Sequence, residues 1–179
     1  QRVQEDLPEE LAPGMSTLGV MLPYAPLHHL ILDKDCLPIL VMTSANPSGL
    51  PILYQDDKAI SYLQGIADYI LTSDREIVHP LDDSVLQVYP SGTCFFRRSR
   101  GFVPDPIFTD EIVSNVVALG GQQNNVFAIG RNNQIFLGPH IGDMETKEVV
   151  DFFTSEFQHL LKWMGTEPER IAIDLHPLY

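Results

Sequence analysis

The chain has 179 residues, an apolar fraction of 44% and a formal net charge of −13. These values are typical of one globular domain or two small ones, and no apolar run reaches the ~18 residues of a membrane span. Because an acidic surface repels polyanions, we expect no nucleic acid as partner, and the lack of a membrane-length apolar run predicts no membrane partner. Cys36 and Cys94 have no zinc-ligand spacing, so we expect half-buried reduced thiols in a cytoplasmic protein, with a single bridge between them left open.

The first part of the chain mixes short strands and helices. After a loop over residues 1–14, apolar runs predict short strands and helical spacing predicts helices. The strands are 18–22, 38–42 and 68–71, and the helices cover 26–33 and a segment that starts at Asp56-Asp57 and ends near Gly65. Residues 84–89 alternate and meet 93–97 across Pro90-Ser91-Gly92, which predicts a β-hairpin with a three-residue loop.

A Pro-containing stretch over residues 101–113 is the predicted linker. Beyond it the pattern restarts as β-β-β-α-β, with strands at 115–119, 126–129 and 134–137 and a helix at 146–164. Thr146 or Asp143 is the expected helix cap, Gly165 the expected end, and IAIDLHPLY a last strand with nothing after it to pair or cover it. We therefore predict a mixed α/β fold with one domain over 1–108 and the start of another over 109–179.

Residues 38–49, PILVMTSANPSG, are the most informative stretch. A predicted buried strand runs into Thr43, Ser44, Asn46 and Ser48, whose hydroxyl and amide groups can hold phosphate or sugar oxygens at a strand exit. The same residues also favour an ordinary Asx or Ser/Thr turn, and composition alone leans towards that turn.

Two further polar sites follow. Arg97, Arg98 and Arg100 form a positive cluster in an acidic chain, which suits a phosphate or carboxylate, although a solvated strand end remains open. Asp82-Asp83 before Ser84 could hold Mg²⁺ through waters, but a turn is the favoured interpretation.

Gly120 and Gly121 lie between two predicted strands, where glycine lets the backbone approach a phosphate closely or simply turn. Spacing alone favours the turn. The six histidines show no metal-binding pair, so we predict no metal ligand in this chain.

Four long strings in this order resemble the YrdC-like domain of the HypF-type hydrogenase maturation carbamoyltransferases: LGVMLPYAPLHHLIL, VMTSANPSG, IADYILTSDREIVHPLDDSV and RRSRGFVPDPI. The later strings VVALGGQQNNVFAI, HIGDME and DLHPLY are similar to the start of that family's Kae1-like domain, which belongs to the actin-like (ASKHA) class. The resemblance implies a YrdC-like twisted mixed sheet with helices, followed by the first β-β-β-α-β unit of the Kae1-like domain.

The resemblance implies an enzyme that takes carbamoyl phosphate and ATP, forms carbamoyl-adenylate with release of pyrophosphate, and passes the carbamoyl group to a C-terminal cysteine of a HypE-type partner. The product becomes the cyanide ligand of the nickel–iron centre. A mixed anhydride keeps a short-lived carbamate activated in a closed site. The implied cofactors are ATP and Mg²⁺, whereas zinc and a Kae1-type metal are expected only outside this chain.

By motif, Thr43, Ser44, Asn46 and Ser48 are implied to line the nucleotide pocket, and Ser84 with Arg97 or Arg100 to contact phosphate. Gly120, Gly121 and Asn125 would form a second nucleotide contact. This loop departs from the family, because Gln122, Asn124 and Val126 replace an acidic residue, Lys and Thr. Leu178 also departs from the family's motif pattern. The family's upstream basic strand is not in this sequence, so we expect this chain to hold parts of two active sites and to complete neither.

Two other readings remain. One is a stand-alone threonylcarbamoyl-AMP synthase, which shares the TSAN-type motif but does not account for the LGG…HIGD segment. The other is a non-catalytic module that binds double-stranded RNA or nucleotide, which the charge of −13 disfavours.

Overall fold

The computed structural model describes residues 8–32 and 38–176. Backbone contacts divide the chain into one unit over Gln1–Thr43 and another over Ser44–Tyr179. The first unit contains a 3-10 turn at Glu9–Leu11 and helix α1 at Pro26–Ile31. Pro26 opens α1 at a position where its missing N–H costs little, in agreement with the predicted helix start at residue 26.

The two strands predicted at 18–22 and 38–42 are wrong. Both stretches are irregular, and Val20, Leu22 and Val41 are 79%, 77% and 74% exposed. An apolar β-branched run favours a strand, but a strand forms only when a neighbour completes its ladder of hydrogen bonds. Neither segment pairs with another described residue.

The second unit begins with helix α2 at Asp56–Leu63, and the two acidic residues in its first turn complement the helix dipole. The predicted hairpin follows as β1 (Val85–Tyr89) and β2 (Gly92–Arg97). Tyr89 pairs with Gly92, so the loop has two residues, Pro90 and Ser91, instead of the predicted three. The strand predicted at 68–71 is wrong, because these residues pair with no strand in the described chain.

A five-stranded sheet forms the rest of the unit, in the order β3-β6-β5-β4-β7. Its strands are β3 (Ile107–Phe108), β4 (Val116–Ala118), β5 (Ala128–Arg131), β6 (Gln134–Leu137) and β7 (Arg170–Ala172), and helix α3 (Lys147–Met164) lies between β6 and β7 in the chain. Neighbours are antiparallel except β4 and β7, which are parallel and therefore need the long crossover that α3 supplies. This confirms the predicted β-β-β-α-β order.

One expectation for this region is wrong. The predicted linker 101–113 contains β3, which pairs with β6 through Ile107 and Ile135. An edge strand of two residues carries too little sequence pattern to reveal its pairing. The predicted last strand is present as β7, and its Ile171 pairs with Val117 of the earlier strand β4.

The core lies between α3 and the five-stranded sheet. Phe127 and Ile129 are fully buried, and Phe127 makes edge-to-face contacts with Phe153 and Phe157 of α3 at centroid distances of 5.5 and 5.2 Å. Of the two predicted caps, Thr146 is the one that the structure shows: its hydroxyl accepts the Val149 N–H at 3.3 Å, whereas Asp143 accepts the Asn124 N–H. Gly165 ends the helix in the left-handed conformation, with φ of 61°.

Cys94 is an exposed free thiol on β2, so the prediction that it is half-buried is wrong. Cys36 lies outside the described residues. Of the helices in the described ranges, none has the length and apolar character that crossing a bilayer requires.

Candidate functional site

The turn over Ser44–Gly49 is closed by the side chain of Asn46. The Ser44 hydroxyl donates to Asn46 Oδ1, while Asn46 Nδ2 donates to the carbonyls of Pro47 at 3.0 Å and Leu50 at 2.9 Å. This is the Asx-type turn chemistry that the sequence allowed. Ser44 and Ser48 remain exposed, and Thr43, also exposed, belongs to the other unit.

Helix α2 fixes the position of this turn. The Tyr62 hydroxyl donates to the Asn46 carbonyl at 3.3 Å, and an open depression of about 550 Å³ lies between the turn and the helix. Its wall is formed by Pro47, Leu53, Asp57, Lys58, Ser61 and Tyr62. The turn therefore presents hydroxyls beside a concave surface that also carries a lysine.

Ser84 fastens the start of the hairpin to the segment that follows it. Its hydroxyl donates to the Arg100 carbonyl at 2.8 Å and accepts the Ser99 N–H at 2.8 Å. Ser99 is completely buried. Ser84 thereby sets the backbone course of the arginine cluster, and its hydroxyl oxygen has a second lone pair for another donor.

The arginines of the cluster differ in how they are engaged. Arg100 approaches Asp83 at 3.3 Å through Nε and donates to the Leu81 carbonyl at 2.7 Å through Nη2. Arg98 lies over the Phe102 ring, with Cζ 6.0 Å from the centroid. Arg97 Nη1 is 3.8 Å from Asp82 Oδ2, which is too long for a hydrogen bond.

Asp82 has a closer partner from another part of the chain. His140 Nδ1 lies 2.8 Å from the same oxygen, Asp82 Oδ2, so this nitrogen carries the proton and donates. The hydrogen bond from His140 is the main reason that the pKa of Asp82 is lowered; partial burial opposes it, and the charges of Arg97, His140 and Arg100 assist it.

A second histidine–carboxylate pair joins His79, which lies near Asp82 in sequence, to Glu156 of α3. His79 Nδ1 is 3.1 and 3.2 Å from the two carboxylate oxygens of Glu156, which is 8% exposed on α3. The His79 ring also packs on that of His159, with centroids 4.0 Å apart. Sequence analysis did not find His79, His140 or Glu156, because nothing local indicates pairs 58 and 77 residues apart.

The glycine loop joins β4 to β5. Gly120 has φ of 76°, and a Cβ there would come within 2.5 Å of the Val126 carbonyl oxygen, so only glycine fits. Asn125 is 1% exposed, and its Nδ2 donates to the carbonyls of Leu119 at 2.8 Å and Gly121 at 2.6 Å. Asp143 of the HIGDME string accepts the Asn124 N–H at 2.8 Å. The loop is therefore closed by the buried Asn125 side chain from within and by Asp143 at its surface.

The structure thus places the predicted site residues in three groups: the turn at 44–48, the Ser84–arginine group, and the Gly120–Asn125 loop. The hydrogen bonds that close these groups run within each of them: Asn46 to Leu50, Ser99 to Ser84, and Asn125 to Leu119. No cluster of three or more His, Cys, Asp or Glu residues suited to a metal ion occurs in the part of the chain that the structure describes.

Comparison with known proteins places the sequence in a family. Residues 1–99 match the model of the Sua5, YciO and YrdC proteins, described as "Telomere recombination", and residues 111–179 match the "HypF Kae1-like domain". Carbamoyltransferase HypF of Rhizobium leguminosarum bv. viciae is 41% identical over 93% of this chain and 23% of its own length. The probable carbamoyltransferase HypF of Methanocaldococcus jannaschii is 35% identical over 93% of this chain and 22% of its own length.

Solved structures agree. The crystal structure of full-length HypF in its phosphate- and nucleotide-bound form is similar over 98% of this chain and 28% of that one, with 34% identity and a TM-score of 0.90. HypF of T. kodakarensis matches 97% of this chain and 23% of its own, with 37% identity and a TM-score of 0.87. The chain thus spans about 23% of the curated relatives that it matches. It belongs to the HypF carbamoyltransferase family, of which it covers a YrdC-like region and the start of the Kae1-like domain.

Proposed function

We propose that this chain is part of an ATP-dependent carbamoyltransferase of [NiFe]-hydrogenase maturation. The observation that carries the proposal is the similarity over 98% of the chain to a HypF structure described as phosphate- and nucleotide-bound. In this proposal residues 1–108 are the C-terminal part of a YrdC-like nucleotide-binding domain. Residues 109–179 are the N-terminal part of an actin-like Kae1 domain.

The reaction has two transfers. A carbamate oxygen, derived from carbamoyl phosphate, attacks the α-phosphorus of ATP, and pyrophosphate leaves. The thiolate of a C-terminal cysteine on a HypE-type partner then attacks the carbamoyl carbon, and AMP leaves. Both steps need aligned reactants and positive charge near phosphate more than a covalent nucleophile of the chain itself.

In the nucleotide site, we assign Thr43, Ser44, Asn46 and Ser48 to the pocket wall. The support is geometric for the last three, because Asn46 closes the turn and leaves the Ser44 and Ser48 hydroxyls exposed. The exposed Ser48 hydroxyl can donate to a ribose or phosphate oxygen, whereas the Ser44 hydroxyl donates to Asn46 Oδ1 and would first have to release that contact.

Among the arginines, we assign the phosphate contact to Arg97. Arg100 already donates to the Leu81 carbonyl and pairs with Asp83, whereas Arg97 is 3.8 Å from Asp82 and its side chain is 32% exposed. A phosphate can therefore bind Arg97 without displacing a close ion pair. Ser84 acts through the backbone of Ser99 and Arg100 and keeps the cluster in place.

In the Kae1-like segment, we assign a second nucleotide contact to the loop of Gly120, Gly121 and Asn125. Gly120 leaves no room for a side chain, and buried Asn125 keeps the loop in one shape. Backbone held in this way can approach a phosphate closely. The role of Asn125 is then to shape the loop from within.

Asp82 and Asp83 do not fit a protein-held Mg²⁺. Asp82 is engaged by His140, and Asp83 by Arg100, so neither carboxylate is free to ligate a cation without losing its partner. In this proposal Mg²⁺ comes with the phosphates of ATP and keeps its other ligands as water.

The test uses the intact polypeptide that carries this sequence. ATP affinity is measured by calorimetry, together with carbamoyl-phosphate-dependent exchange of labelled pyrophosphate into ATP. We expect Arg97→Ala to weaken ATP binding by about tenfold or more and Ser44→Ala by less, while Arg131→Ala, an exposed arginine on β5, leaves it unchanged.

The exchange assay separates the proposed activity from its main alternative. Exchange that depends on carbamoyl phosphate supports the proposal. Exchange that depends instead on threonine and bicarbonate would identify a threonylcarbamoyl-AMP synthase and overturn it.

A further inference from the structure

One carboxylate oxygen connects the two family-matched segments of the chain. Asp82 Oδ2 lies in the segment 1–99, as does Arg97, whereas His140 lies in the segment 111–179. His140 Nδ1 is 2.8 Å from this oxygen and Arg97 Nη1 is 3.8 Å from it. The histidine therefore makes a hydrogen bond to this oxygen, whereas the arginine stays beyond hydrogen-bonding distance.

The three side chains around this oxygen are partly buried, so their charges are screened less than those of fully exposed groups. The side chains of His140, Asp82 and Arg97 are 13%, 27% and 32% exposed. The other nearby cation, Arg100, is engaged with Asp83 and the Leu81 carbonyl. Because partly buried charges are weakly screened, an Asp82 without its histidine donor would draw the Arg97 guanidinium into a close ion pair.

We propose that His140 is a positioning residue for the nucleotide site: by occupying the Asp82 carboxylate, it leaves the Arg97 guanidinium available to a phosphate. This inference rests on the proposed function, in which Arg97 contacts the phosphates of ATP. It also means that a residue of the Kae1-like segment tunes phosphate binding in the YrdC-like segment without touching the nucleotide.

The second histidine–carboxylate pair supplies a matched control. His79 and Glu156 also join the two segments, with a similar distance of 3.1 Å, and no arginine of the cluster shares their contact. General loosening between the segments would follow the loss of either histidine. Loss of the proposed positioning would follow the loss of His140 alone.

The experiment measures the ATP dissociation constant of the intact polypeptide by calorimetry, with thermal melting as a check on folding. We expect His140→Ala to weaken binding on the order of 3- to 10-fold, and His79→Ala to leave it unchanged. His140→Asn carries an amide donor near the place of Nδ1 and should restore affinity. In an Asp82→Asn background, His140→Ala should have no further effect, because the competing charge is gone.

Three results would overturn the inference: wild-type affinity in His140→Ala, equal weakening in His79→Ala, or an undiminished loss in the Asp82→Asn background. Arg97→Ala is measured in parallel. If it weakens binding while His140→Ala does not, only the positioning role is wrong. If Arg97→Ala has the ATP dissociation constant of the wild type, the assignment of Arg97 to the phosphate is wrong, and the positioning role of His140 is then wrong as well.

Discussion

Replacing Asn125 by alanine should loosen the loop between β4 and β5 and lower the stability of the five-stranded sheet. The side chain is 1% exposed and donates two hydrogen bonds, to the carbonyls of Leu119 and Gly121. At about 1 kcal/mol net for each bond, plus some lost packing, we expect a loss of about 2–3 kcal/mol. For a chain of this size that corresponds to a melting temperature lower by roughly 5–10 °C.

Calorimetric melting measures the loss, and amide hydrogen exchange localises it. The N–H groups of Asn125 and Ile141 bond the carbonyls of Gly142 and Asn125, so both should exchange faster in Asn125→Ala. Gln123→Ala is the matched control, because Gln123 is exposed in the same loop and its loss should change stability by less than about 0.5 kcal/mol. Equal melting temperatures for the two variants would refute the reasoning.

The remaining predictions concern the core, a helix cap and acid stability. Gly138→Ala would place Cβ 2.4 Å from the Phe127 ring. The free energy of unfolding measured by denaturant titration should therefore be about 1–3 kcal/mol lower than in the wild type. An unchanged free energy of unfolding would contradict this packing. Thr146→Ala removes the α3 cap and should lower the free energy of unfolding by about 0.5–1 kcal/mol, because the capping hydrogen bond is long at 3.3 Å. Thr154→Ala on the exposed face of α3 is the control and should leave the free energy of unfolding unchanged. Equal effects of the two substitutions would argue against the cap. The folded-state pKa of Asp82 lies below the ordinary 3.8, so its carboxylate stabilises the fold above that pH and ceases to do so as pH falls through the lowered pKa. The stability difference between wild type and Asp82→Asn should thus shrink as the pH falls below about 4, and a difference that grew on acidification would reverse the assigned sign.

Local sequence signals succeeded where the structure is local. Pro26 and the Asp56-Asp57 pair marked real helix starts, and Thr146 with Gly165 marked both ends of α3. Capping and turn chemistry act over a few residues, so they can be read from the sequence directly.

Strand predictions failed where pairing had to be known. The apolar runs 18–22 and 38–42 contain the residues that strands favour, yet they pair with no described strand, whereas Ile107–Phe108 pairs despite a proline-rich context. A strand is stabilised by its neighbour, and the neighbour is not encoded in the run itself.

The candidate site divides in the same way. The motif strings alone were enough to point to the HypF family, and hydroxyl and arginine residues alone suggested a phosphate-binding chemistry. The sequence could not show which arginine is held in a close ion pair. That depends on His140, which lies 58 residues from Asp82 in the chain and contacts it only in the folded structure. The sequence by itself determined the helices, the hairpin, the order of elements in the second part, and the family. Only the tertiary structure decided the pairing of the edge strands and the partners of Asp82, Glu156 and Arg97, because ladder bonds and ion pairs depend on distances that folding alone sets.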